Sequence, residues 1–219
     1  MVRAAVERIR EQILAGAYEP ENLLPPEGKL GETLGVSRTV VREAMRMLAA
    51  QGLVEVSQGR RPRVRPADPE TVVETFGTYL ERGSHPLLDL IEVRRPLETE
   101  IAALAGQRAT PREVQTLEEA MEAMTGAKTF EEMVTADIEF HRGLAQATGN
   151  PLFQLLLKTL AGAMRRSRQE TLARTGIERA LKGHAAILSA VQSRNPEAAR
   201  TAMFTHLGMA EKDLRGTVS

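Results

Sequence analysis

From residue 68 onward the chain is punctuated by one kind of signal, the helix start. Asp68-Pro69, Asn150-Pro151 and Asn195-Pro196 each set a capping side chain before a proline. Proline is tolerated there because the first turn of a helix has no amide bond to lose. Thr110-Pro111-Arg112-Glu113 and Thr129-Phe130-Glu131-Glu132 have the spacing of capping boxes. No alternating strand pattern competes with these starts. The pattern predicts helices near 69–82, 86–108, 111–125, 130–148, 151–173, 177–193 and 196–214, an all-α bundle of six or seven helices. Such bundles build ligand and metal sites between facing helices.

The first 66 residues read differently. Val6, Ile9, Ile13 and Leu14 share one face of a helix from Val2 to Ala15, with Gly16 as its stop. Leu24-Pro25-Pro26-Glu27 opens a short helix that Gly35 ends. Ser37 caps a third helix, Arg38 to Gln51, whose inner face is Val41, Ala44, Met45 and Leu48. Leu53-Val54-Glu55-Val56 and Arg63-Val64-Arg65 then alternate like short strands about the turn Gln58-Gly59-Arg60-Arg61. Three helices and a small hairpin describe a winged helix-turn-helix. The expected fold is therefore mainly α: a winged helix-turn-helix at 1–66, a linker at 67–69, and an all-helical domain at 70–219.

Charge divides the chain in the same place. Net charge over all 219 residues is zero, but residues 1–66 carry 11 Lys and Arg against 8 Asp and Glu, while the remainder carries 18 against 21. Gly35 to Pro66 alone holds seven Arg against Glu43 and Glu55. A basic segment ahead of an acidic remainder points to a polyanion-binding module joined to a part that does not touch the polyanion; a solvated basic surface is the plain alternative. With 3% aromatic residues and no Trp, base-stacking platforms for single strands are disfavoured. The absence of Cys excludes disulfides and thiolate metal sites. The longest uncharged stretch, Gly143 to Leu157, is broken by Gly149-Asn150-Pro151, so neither a membrane span nor an export signal is expected and the location expected is cytoplasmic.

In Leu34-Gly35-Val36-Ser37-Arg38-Thr39-Val40-Val41-Arg42-Glu43-Ala44, the residues Ser37, Arg38, Thr39 and Arg42 fall on the N-terminal, outward side of the third helix, the part that enters a major groove. Arginine there pairs with a guanine edge, and Ser37 and Thr39 suit phosphate. Gly59, Arg60 and Arg61 would let the wing follow a backbone strand. The alternative is that Arg38 and Arg42 form an ordinary exposed row. With Leu24-Pro25-Pro26-Glu27 before it and Leu48-Ala49-Ala50-Gln51-Gly52-Leu53-Val54 after it, this segment resembles the DNA-binding domain of GntR-type bacterial regulators. The resemblance implies operator contacts at Arg38, Thr39, Arg42 and Gly59. One departure is Gly28, where many members carry arginine; Lys29 beside it supplies only a charge.

Three of the four histidines interrupt apolar stripes of the C-terminal part. His141 is flanked by Val134, Ile138 and Leu144, His184 by Leu181 and Leu188, and His206 by Met203, Ala210 and Leu214. Asp137 lies one turn before His141 on the same face. His85, before Pro86 in a connecting loop, is read as inert. One buried histidine is ordinarily hydrogen-bonded within a core, but three on separate helices with an aspartate are all satisfied by one shared cation. Imidazole and carboxylate suit Zn²⁺, with Ni²⁺ or Mn²⁺ as alternatives. The stripe Leu87, Leu90, Arg94, Leu97, Ile101, Leu104 sets a guanidinium where an aliphatic side chain is expected. Its anion is either internal, Glu98 or Asp137, or a small organic acid that bridges the metal and Arg94.

The run Leu90-Ile91-Glu92-Val93-Arg94-Arg95-Pro96-Leu97-Glu98, then Asp137-Ile138-Glu139-Phe140-His141 and Gly149-Asn150-Pro151-Leu152, with His184 and His206, resembles the FCD effector domain of the FadR subfamily. That resemblance implies a divalent metal held by Asp137, His141, His184 and His206, with a carboxylate metabolite nearby, unlike relatives that sense fatty acyl-CoA. The function expected is a transcription regulator, of repressor type, bound as a homodimer to a pseudo-palindromic double-stranded operator and modulated by the acid. A metal-dependent hydrolase and an architectural DNA-binding protein without effector are the competing readings. No general base or nucleophile motif supports the hydrolase.

Overall fold

The structure, a computed structural model, describes residues 1–83, 87–175 and 177–216. His85, read as inert from the sequence, lies outside the described residues. Two compact units divide between Val72 and Val73, inside a helix that begins at Pro69, the last residue of the expected linker at 67–69.

In the N-terminal unit, α1 (Val2–Leu14), α2 (Glu27–Leu34) and α3 (Arg38–Ala50) precede a two-stranded antiparallel hairpin, β1 (Val54–Glu55) and β2 (Arg63–Val64), in the register Val54 to Val64. The strands are shorter than the alternation predicted: Val54 and Val64 are buried and pair, while Val56 and Arg65 at the far ends are exposed. The hairpin gains an irregular third strand from the loop before α2: Leu24 N donates to Pro62 O at 2.8 Å and Glu21 N to Val64 O at 2.9 Å. Val6, Ile9, Leu24, Leu30, Val41, Met45 and Leu48 close one core beneath these elements.

The tight α2–α3 turn has two local causes. Gly35 takes a left-handed conformation at φ 68°, which glycine adopts without a Cβ penalty. Ser37 Oγ accepts from Val40 N at 3.3 Å and so caps α3.

α4 (Pro69–Arg82) crosses the boundary. The C-terminal unit continues with α5 (Leu87–Arg108), α6 (Pro111–Gly126), α7 (Phe130–Ala147), α8 (Pro151–Thr175), α9 (Glu178–Gln192) and α10 (Pro196–Arg215). Both predicted capping boxes form, Thr110 with Glu113 and Thr129 with Glu132, and Asn195 Oδ1 accepts from Ala198 N at 3.0 Å. α5 packs most extensively along α10, α6 on α7, α9 on α10, and α7 on α8. Ile101, Leu117, Phe140, Leu144, Leu157, Ile187, Met203 and Leu207 form the main core. Because α5 is covered by several helices, its buried line runs Ile91, Arg94, Glu98, Ile101, Ala105 rather than through Leu90 and Leu97 as the sequence stripe predicted.

Close packing of α2 against the α2–α3 turn leaves no room for a side chain at Gly31. A Cβ on Gly31 would lie 2.7 Å from the Val36 carbonyl oxygen, a backbone atom that cannot move alone. Gly31→Ala is expected to cost about 1–3 kcal/mol in the N-terminal unit. Calorimetry should show that transition lowered and the C-terminal one unmoved.

Candidate functional site

The N-terminal unit presents Ser37, Arg38, Thr39 and Arg42 as exposed residues on the first turns of α3, as the spacing predicted. Two of them are held by neighbours. Arg42 donates from Nε and Nη2 to both oxygens of Glu27 at 3.3 and 2.9 Å, a bidentate pair joining α3 to the start of α2. The Arg38 guanidinium lies over Gly28, so close that a Cβ there would stand 3.2 Å from its Nε and Nη2. The glycine that departs from the common pattern is thus the surface on which Arg38 rests.

Gly59, at φ 72°, and Arg60 are exposed on the wing. Arg61 behaves differently from the expectation of a free phosphate arm. Its Nε and Nη2 donate to the Leu24 carbonyl at 2.9 and 2.7 Å, which ties the wing to the loop before α2.

In the C-terminal unit five helices bring one cluster together. Arg94 and Glu98 come from α5, Asp137 and His141 from α7, Arg168 from α8, His184 from α9 and His206 from α10, and all seven are buried. One ring nitrogen from each of His141, His184 and His206 lies within 4.8 Å of the other two. Asp137 Oδ1 is 3.5 Å from His184 Nε2, and Oδ2 is 3.9 Å from His141 Nε2. Of the four residues singled out as ligands, His141, His184 and His206 form a group that could hold an ion, and Asp137 lies against His141 and His184. His141 Nδ1 and Glu98 Oε2, neither with a hydrogen-bond partner elsewhere, face each other at 2.5 Å. A carboxylate behind one ring nitrogen orients the other toward the centre, the usual support of a metal-binding imidazole.

Glycine makes room for this convergence. A Cβ on Gly183 would fall 2.5 Å from His206 Nδ1. α9 and α10 can set two histidines side by side, ring centroids 4.5 Å apart, only because residue 183 has no side chain.

Arg94 donates from Nε to Glu98, the internal partner the sequence allowed for, while its Nη1 and Nη2 have no hydrogen-bond partner although the side chain is fully buried. Each unsatisfied buried donor costs about 1–3 kcal/mol. Arg168 was not foreseen. It donates from Nε to Asp137 Oδ2 at 2.6 Å and approaches His141 Nε2 and His206 Nε2 with Nη2, both at 3.1 Å. Within Arg165-Arg166-Ser167-Arg168 it passes for one charge of a solvated face. The signal that could have found it is its period: Leu157, Leu160, Met164, Arg168 and Thr171 form one buried line of α8.

Burial dominates the electrostatics. It lowers the pKa of His184 from 6.5 to about 3. It also holds His206 well below its ordinary value, with the neighbouring His184 and Arg168 acting in the same direction. Burial alone would raise Glu98 and Asp137, yet Arg94 and His141 pull Glu98 below the carboxylate range, and Arg168 with His184 does the same to Asp137. Neutral imidazoles and ionised carboxylates are the protonation states a cation requires.

A winged helix-turn-helix joined to a helical bundle with a buried polar cluster is the architecture of a ligand-responsive DNA-binding regulator. Residues 2–64 match the model of bacterial regulatory proteins of the gntR family, and residues 89–209 match the FCD domain. The chain is 29% identical to the HTH-type transcriptional regulator LutR of Bacillus subtilis, over 92% of this chain and 95% of that one. It is 32% identical to the Uxu operon regulator of Haemophilus influenzae, over 91% and 76%. It is 29% identical to the galactonate operon transcriptional repressor of Escherichia coli, over 94% and 93%. Among solved structures it is similar to a GntR protein of Streptococcus agalactiae, with a TM-score of 0.67 and 28% identity over 97% of this chain and all of that one. The chain belongs to the GntR family of transcription regulators, in the branch that carries an FCD domain. It is a DNA-binding regulator rather than an enzyme.

Two outcomes follow from the cluster. His184 stays neutral when folded but takes up a proton near pH 6.5 when unfolded, so its contribution is intact above that pH and is lost as pH falls toward about 3, and His206, also held well below its ordinary value by burial, acts in the same direction. In chelator, stability should fall below pH 6.5 by up to about 1.4 kcal/mol per pH unit for each histidine. Thermal melts at stepped pH measure it; a flat profile from pH 7 to 5 would contradict the assignment. Gly183→Ala should push the His206 ring out of the cluster and abolish any uptake of Zn²⁺ there with His141, His184, His206 and Asp137 all still present, read by equilibrium dialysis against Zn²⁺.

Proposed function

We propose that the C-terminal centre binds a divalent metal ion together with a small carboxylate, and that this pair controls operator binding by the winged helix. The convergence of three imidazole nitrogens within 4.8 Å of one another carries the reading. Asp137 Oδ1 and His184 Nδ1 are buried without a hydrogen-bond partner, which fits a cluster built around an added charge. His141, His184, His206 and Asp137 would hold the ion; among candidates Zn²⁺ matches the nitrogen-rich set, with Ni²⁺ or Mn²⁺ as alternatives. Bound there, the ion supplies a Lewis-acidic site for an anionic oxygen.

Arg94 supplies the second handle. Its two unpartnered terminal nitrogens present the parallel donors that a carboxylate matches. The effector class is a small organic acid, in keeping with the galactonate named for one relative.

At the DNA end, Arg38 reads a base edge while Ser37, Thr39, Gly59 and Arg60 contact phosphate. Arg42, paired with Glu27, fixes the α2–α3 angle as it faces the groove, and Arg61 positions the wing. A homodimer on a pseudo-palindromic operator follows from the two-fold logic of such readers. The protein acts as a cytoplasmic repressor whose operator and effector affinities change each other by the same factor. Among the described residues no helix is long and apolar enough to cross a membrane.

Arg38→Ala should narrow the gap between specific and random DNA by roughly 10- to 100-fold, the equivalent of one base contact of about 1–3 kcal/mol. Equal losses on both DNAs, measured by fluorescence anisotropy at fixed salt, would remove Arg38 from base reading. Separately, in equilibrium dialysis against excess Zn²⁺ with a small carboxylate present, the unmutated protein should take up the ion and His184→Ala should not. An unmutated protein that takes up no ion under those conditions would defeat the metal reading.

A further inference from the structure

The metal-and-carboxylate reading gives Arg168 no part, and the following inference rests on that reading. The Arg168 guanidinium is buried in the middle of the candidate ligand set: Nε donates to Asp137 Oδ2 at 2.6 Å, and Nη2 lies 3.1 Å from both His141 Nε2 and His206 Nε2. A guanidinium has donors only, so both imidazoles must offer it the lone pair of Nε2. Those are the lone pairs a metal ion would use, and Asp137 Oδ2 is engaged as well.

Charge sharpens the conflict. Arg94 and Arg168 balance Glu98 and Asp137, and imidazoles that accept at Nε2 and carry their proton at Nδ1 are neutral, so the buried cluster already sums to zero. A divalent ion would bring two uncompensated positive charges to within a few ångströms of a guanidinium that cannot lose its proton.

We propose that Arg168 is a built-in competitor of the metal ion. It occupies Asp137, His141 and His206 until an ion takes their lone pairs, and the displaced guanidinium then finds its acceptor in the organic anion that offsets the ion's charge. Ion and acid consequently bind as a coupled pair, each weakly alone. The site answers to their joint presence.

The test is a Zn²⁺ titration against a competing chromophoric chelator, on the full chain, for the unmutated protein, Arg168→Gln and Arg168→Lys, without and with acetate, lactate or galactonate. Arg168→Gln should bind Zn²⁺ at least tenfold more tightly than the unmutated protein when no acid is present. At least one acid should tighten Zn²⁺ binding several-fold in the unmutated protein and less than twofold in Arg168→Gln. Arg168→Lys, which keeps the charge but cannot span three acceptors, should fall between. Zn²⁺ affinities within twofold of one another across the three proteins, or no effect of any acid on the unmutated protein, would overturn the proposal and leave the metal site standing. If folded protein of all three kinds binds no Zn²⁺, the metal reading itself falls and takes the proposal with it.

A second measurement needs no Gln variant. In the unmutated protein the Arg168 Nε–H, identified in nitrogen-15 spectra by its loss in Arg168→Lys, should be protected from exchange in chelator and lose that protection on saturation with Zn²⁺. Protection that persists in the Zn²⁺-saturated protein would overturn displacement.

Discussion

Burying ionised groups among apolar helices is the constraint from which the C-terminal unit follows. Arg94, Glu98, Asp137 and Arg168 are all nearly inaccessible to solvent, and none of them would tolerate that position alone. Arg94 and Glu98 pair within α5, Glu98 also faces His141 of α7, and Asp137 of α7 is held by Arg168 of α8. The polar cluster therefore specifies which helices must meet and in what rotation. The surrounding core of Ile101, Phe140, Leu144, Ile187, Met203 and Leu207 supplies the driving force. Apolar burial is non-directional, and the seven polar side chains give it a register.

Much of this is legible in the sequence. The helix starts were signalled by residues whose chemistry acts locally, so the capping boxes at Thr110 and Thr129 and the cap at Asn195 formed as their spacing predicted. Helix ends shifted by a residue or two, because termination depends on neighbouring turns. The histidine cluster was legible because His141, His184 and His206 interrupt apolar stripes, and a polar residue on such a stripe has to be satisfied by something. Arg94 was found by the same logic.

Arg168 obeys that logic and was still missed. It follows Arg165 and Arg166, which are only partly buried, and a run of like charges reads as a solvated face. Only packing shows that one arginine of the run turns inward. The exact buried line of α5 was hidden for a related reason: a helix covered on several sides by α7, α9 and α10 has no single stripe, so Glu98 takes a core position that a one-sided pattern gives to Leu97. Gly183 and Gly28 carry no sequence signal beyond their identity; what they permit is the approach of His206 and Arg38, which a one-dimensional pattern does not contain.

The neutrality of the cluster also bears on what the site is for. In small metal-stabilised folds the ion substitutes for a missing core, and removing it unfolds the chain. Here the apolar core is extensive, and the carboxylates already have guanidinium partners, so the bundle can close without an ion. An ion that is not required for folding is free to act as a signal, since its binding energy can be spent on choosing between arrangements of the helices that hold its ligands. His141, His184 and His206 stand on three different helices, so an ion held by all three would tie α7, α9 and α10 together. A sensor domain needs that property.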